Sequence, residues 1–128
     1  MEVVEENNYL EGLKVILKRL LSNNPTITIA TISSMEGLPI LSVIPRGSNE
    51  TIVSAMVATL LSLSEKAVLE MKIGEFKQLL IKGIDGNLLV FEADTAVLAV
   101  STTIEAKLGL IFLECERASI EISKILKK

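Results

Sequence analysis

The sequence predicts an α+β fold with elements in the order α-β-β-α-β-β-β-α, a five-stranded antiparallel sheet with helices on both faces. Three observations predict it. Apolar residues recur every three or four positions in a first, a middle and a last segment, and β-branched or alternating runs lie between them. The strand-like runs follow one another across turns too short for a crossover helix. Strands and helices do not alternate, as a doubly wound parallel sheet would require.

The first helix is marked by Tyr9, Leu10, Leu13, Ile16, Leu17, Leu20 and Leu21, with Asn7 or Asn8 as its cap and Asn23, Asn24 and Pro25 as its stop. Thr26 to Ser33 and Ile40 to Ile44 form a hairpin around MEGLP, where Gly37 takes positive φ. Pro39 and Pro45 flank the second strand and cannot donate to a ladder, so it belongs at a sheet edge. Ser48 or Asn49 caps the middle helix, Glu50 sits in its first turn, and it runs to about Met71 before Gly74 breaks it. Phe76 to Lys82, Asn87 to Ala93 and Ala96 to Thr102 make a meander, turned at Ile84-Asp85-Gly86 and at Asp94-Thr95. Ile104, Leu108, Ile111, Phe112, Cys115, Ala118, Ile122, Ile125 and Leu126 give the last helix its apolar face. With no linker or repeat, residues 1–128 read as one domain.

Composition excludes several classes of function. Only 3% of residues are aromatic and the net charge is −3, with basic residues gathered only at Lys124, Lys127 and Lys128, so nucleic acid is not an expected partner. There is no His and one Cys, which removes zinc sites of the usual kind, internal disulfides and Cys/His nucleophiles. The acidic start MEVVEENNYLEGL is not a signal peptide. The uncharged run Thr51 to Ser64 is fourteen residues, short of the roughly 20 a spanning helix needs, so no membrane insertion is expected. A reduced, cytoplasmic protein is the expectation.

That run, TIVSAMVATLLSLS, carries the main inference. Ile52, Ala55, Met56, Thr59, Leu60 and Leu63 make a stripe suited to a sheet. Val53, Val57 and Leu61 flank it, and Ser54, Ala58 and Ser62 form a small-residue strip on what remains. No water-facing side is marked until Glu65 and Lys66. Either another helix of the chain covers the excess or a second copy does. Two helices are already needed on the sheet's other face, and small residues at i and i+4 admit a close helix neighbour, so a two-fold homodimer is the reading. Phe76, Lys77, Gln78, Leu79, Leu80, Ile81 and Lys82 add an edge open to pairing, unless Lys77 and Lys82 blunt it.

No catalytic template is present. The chain lacks GxxxxGK[ST], GxGxxG and GxSxG, and Asp85, Glu92 and Asp94 sit where turns and strand ends use them. Cys115 falls on an apolar helical rhythm and reads as core. Arg46, between Pro45 and Gly47, is a solvated loop residue or a contact for a partner's carboxylate or a nucleotide phosphate. No catalytic residue, cofactor site or metal site is assigned.

The segments EGLPILSV, IVSAMVATLLSLS, IGEFKQLLIKGIDGNLLVF, TAVLAVS and LGL together resemble the Roadblock/LC7 family of dynein-light-chain-like, GTPase-associated domains, over about Tyr9 to Leu126. Glu36 stands where an Asp often precedes the turn glycine. The resemblance implies a profilin-like layering and a dimer in which two sheets join edge to edge, with Phe76 to Lys82 as the pairing strand and the middle helices side by side. It also implies a non-enzymatic platform; prokaryotic members commonly act with Ras-like small GTPases. Ser54, Ala58, Ser62 and Glu65 would then lie on the shared helical face offered to a GTPase. Two alternatives stand beside this reading: a passive adaptor in a larger assembly, and a small-ligand sensor, which the scarcity of aromatic and internal polar residues disfavours.

Overall fold

The computed structural model describes residues 2–127, with side chains described from Tyr9 to Lys127. Helix α1 spans Glu2–Asn23, strands β1 and β2 span Ile27–Ser34 and Pro39–Val43, and helix α2 spans Glu50–Glu70. Strands β3, β4 and β5 follow at Gln78–Lys82, Gly86–Ala93 and Ala96–Thr103, and helix α3 spans Leu108–Leu126. The element order and the α+β class are those the periodicities indicate.

Three boundaries differ by two residues or more. Helix α1 continues through Asn7 and Asn8 to Glu2, so neither asparagine caps it. Strand β3 begins at Gln78, leaving Phe76 and Lys77 in the preceding connection. Helix α3 starts at Leu108, which leaves Ile104 half in water before it. In each case apolar periodicity ran beyond, or stopped short of, the backbone hydrogen bonding that ends an element.

The five strands are all antiparallel and lie in the order β2-β1-β5-β4-β3. Both edges therefore belong to short strands, β2 with Pro39 at its first position and β3 at the far side. Gly37 turns the β1–β2 hairpin at φ 92°, which few side-chain-bearing residues tolerate.

Strand alternation sends two sets of side chains to opposite faces. On one face Leu13, Ile16, Leu17 and Leu20 of α1 and Ile111, Cys115, Ala118 and Ile122 of α3 close over Ile32, Leu89, Phe91, Leu98 and Val100. Phe91 meets Phe112 edge-to-face with ring centroids 6.0 Å apart. The other face carries α2 alone, with Val57 and Leu61 on Val90, Val97 and Ala99. Burying each of those two side chains is worth about 1.5–3 kcal/mol. One helix cannot cover what two cover opposite it, so the α2 side of the molecule remains partly bare.

Candidate interaction surface

Helix α2 begins where the Asn49 side chain accepts a hydrogen bond from the Ile52 amide at 3.1 Å, with Glu50 against the helix's positive end. Its position over the sheet is set by a close approach. A side-chain carbon at Gly37 would lie 3.1 Å from the Ala55 Cα, so the β1–β2 turn presses on the helix backbone itself. The stripe that meets the sheet must then be narrow and small, and it is Ser54, Val57, Ala58 and Leu61.

This reverses the faces the sequence suggests. Val57 and Leu61 are 0% and 1% exposed, held under the chain's own sheet and not left over for a second copy. Ser54 and Ala58 are likewise buried, so neither lies on an outward helical face. Val53 is half-buried against the same cluster. The apolar excess is real, but it sits on the other side: Ile52 is 62% exposed, Met56 47% and Leu63 59%, with Leu60 partly covered. Ser62 is exposed beside them and Glu65 is half-buried. Hydrophobicity ranked the larger residues inward; the need for a close approach ranked the smaller ones inward, and Gly37 with the Ser54/Ala58 pair was the signal that could have shown it.

Beside α2 lies the free edge of β3. Leu79 pairs with Val90 and Ile81 with Leu88, which puts Leu79 and Ile81 on the α2 side, Ile81 still 41% exposed. Leu80 turns to the opposite core, Gln78 and Lys82 are exposed, and of the two residues preceding the strand Phe76 packs below α2 while Lys77 is exposed. Ile52, Met56, Leu63 and Ile81 are thus uncovered apolar groups on one side of the molecule. Arg46 stands exposed in the loop before α2, next to Gly47 at φ 89°.

By length and composition α2 as a whole, 21 residues, is apolar enough to cross a membrane, although its uncharged run alone is not. In this fold one stripe of it is seated on an open sheet. Carrying that sheet into hydrocarbon would strand the unpaired amides and carbonyls of both edges.

A cleft of about 290 Å³ opens at the carboxyl-terminal end of α2, lined by Glu65, Val68, Leu69, Gly74, Glu75, Phe76 and Glu92. The convergence of Glu65, Glu75 and Glu92 was not visible in the sequence, because the three come from a helix, a connection and a strand. Burial, then the charges of Glu65, Asp94 and Glu75, hold the Glu92 carboxyl above its ordinary value of 4.5. A raised carboxyl pKa means the folded chain keeps this proton more tightly than the unfolded one. Its contribution to stability therefore falls as pH rises from 4.5 through the raised value, and stays unfavourable above it. Glu92→Gln is expected to raise Tm at pH 7 and to leave it unchanged at pH 4, read by calorimetry at the two pH values.

Cys115 is fully buried, and burial followed by the Glu114 charge pushes its thiol up to about 12, the opposite of what a nucleophile needs. Among the described residues no group of three or more His, Cys, Asp or Glu is placed to hold a metal ion.

The Roadblock/LC7 domain profile matches residues 14–102. The uncharacterized protein MJ0310 of Methanocaldococcus jannaschii is 31% identical over 87 residues, covering 68% of this chain and 76% of that protein. Among solved structures, the gliding protein MglB from Thermus thermophilus superposes with a TM-score of 0.82 at 18% identity, covering 93% of this chain and 91% of that one. A Roadblock/LC7 domain from Streptomyces avermitilis does so with a TM-score of 0.80 at 21% identity, covering 87% and 94%. These structural likenesses show a shared fold, and together with the profile match over most of its length they establish that the chain belongs to the Roadblock/LC7 domain family.

Proposed function

We propose that this protein is a non-catalytic, dimeric cytoplasmic platform that binds a Ras-like small GTPase and tunes its nucleotide cycle. One observation carries the reading: Ile52, Met56 and Leu63 on the outer side of α2 are exposed together with Ile81 on β3, the strand with the free edge. Each large side chain left in water forgoes about 1.5–3 kcal/mol relative to burial. A second copy related by a two-fold axis covers the stripe with its own stripe and satisfies the β3 amides and carbonyls at the same stroke. Support for the GTPase comes from the family, whose prokaryotic members commonly act with such partners.

Catalytic help from this chain is indirect. The loop arginine, Arg46, stands exposed with nothing rigid to aim it at a transition state. Regulation then works by ordering the GTPase's own switch segments. Met56→Glu tests the platform. The parent chain is expected to sediment as a dimer at micromolar concentration and the variant as a folded monomer, because the two-fold would set two carboxylates against each other in an apolar contact. A parent chain that sediments as a monomer would refute the pairing. Single-turnover GTP hydrolysis and nucleotide exchange by the candidate GTPase, with and without this protein, test the regulation; no change in rate, exchange or affinity would remove it.

A passive adaptor is the second reading, favoured by Leu110, Leu113 and Ile120, which are each about half exposed along the outer side of α3. Capture of a partner regardless of its nucleotide state would support it over the first.

A further inference from the structure

The two halves of α2 rest on different chemistry. The half that contains Leu61 sits on Val90, Val97 and Ala99. The half that contains Ser54 sits on the β1–β2 hairpin, where the sheet offers hydroxyls. Thr31 and Ser33 pair with Ala99 and Val97 of β5, so they point to the α2 side, and Ser42 pairs with Thr31 across β1 and β2. Thr31, Ser33 and Ser54 are each 0% exposed. The hydroxyl oxygens of all four, Thr31, Ser33, Ser42 and Ser54, are buried and reach no hydrogen-bond partner in the protein.

Buried hydroxyls left dry are costly, and proteins satisfy such groups with internal water where several converge. Four orphaned oxygens on three neighbouring elements form one polar seam, closed at its end by the Gly37 turn against Ala55 and Ala58. We propose that this seam is an internal water site, its waters joining Ser54 to Thr31, Ser33 and Ser42 and seating the amino-terminal half of α2 on the hairpin beside the Gly37 turn.

The test has two parts, and neither depends on pairing or on a GTPase. Thr31→Val and Ser54→Ala each remove one hydroxyl with almost no change in shape. In a hydrated seam each lowers Tm by a few degrees, because a bridging water loses a partner, and the triple variant with Ser33→Ala loses less than the summed singles, because the waters leave together. In the unaltered chain, long-lived internal water gives nuclear Overhauser contacts to the amides of Thr31, Ser33 and Ser54, and these are lost in the triple variant. A rise in Tm for either single variant, or the absence of those water contacts, marks a dry seam and overturns the water site.

Discussion

Leu61→Ala should lower the unfolding free energy by about 2–5 kcal/mol in denaturant titration, as deletion of a fully buried leucine does. Leu63→Ala, two residues on, should change the stability of the single chain by no more than about 0.5 kcal/mol. The contrast follows from placement alone. Leu61 is 1% exposed against Val90, Val97 and Ala99, whereas Leu63 is 59% exposed. The two should exchange roles when self-association is measured, where Leu63→Ala weakens pairing. Equal destabilisation by both would mean that α2 is rotated relative to the sheet, with its larger residues inward.

Gly86→Ala should be about as damaging for a different reason. Gly86 opens β4 opposite Thr103, and a side-chain carbon there would be driven into the Thr102 carbonyl oxygen, a backbone atom that cannot step aside. The central ladder between β4 and β5 must then open or slip. Overpacking of this kind costs about 1–3 kcal/mol and sometimes more, and a fall in Tm of about 3–6 °C per kcal/mol is the readout in a domain of this size. By comparison, a side-chain carbon at Gly74, which sits at φ 103° in the connection after α2, meets nothing within 4 Å. Gly74→Ala bears only the conformational penalty and should cost less; if it costs as much as Gly86→Ala, backbone strain and not the clash controls both sites.

How much of this was legible beforehand differs by level. Element types were readable because period and turn chemistry agreed: Gly37 in a hairpin, Asn49 before a helix, Pro39 at an edge strand. That β3 forms the opposite edge was readable too, from its place at the start of the meander. Which side of α2 meets the sheet was not. A window on hydrophobicity assumes that the greasiest stripe is the inner one, and in this chain two sets of contacts compete for apolar residues. Close packing by the Gly37 turn selects Ser54 and Ala58 for the inside, so the bulkier Ile52, Met56 and Leu63 are turned away from the sheet. The cleft of Glu65, Glu75 and Glu92 was unreadable for a simpler reason: tertiary structure alone brings these three together.

The two borders of the sheet differ in what they can accept, and this limits growth. At β2 a proline begins the strand and the register against β1 breaks between Ile32 and Ser33, so that rim makes a poor template for a newcomer. At β3 the strand is short but regular along its whole length. A chain with one receptive rim cannot polymerise through its sheet. Two copies joined at β3 use up both receptive rims and leave proline-bearing ones outermost, so stacking into ribbons is blocked without any further safeguard on the surface.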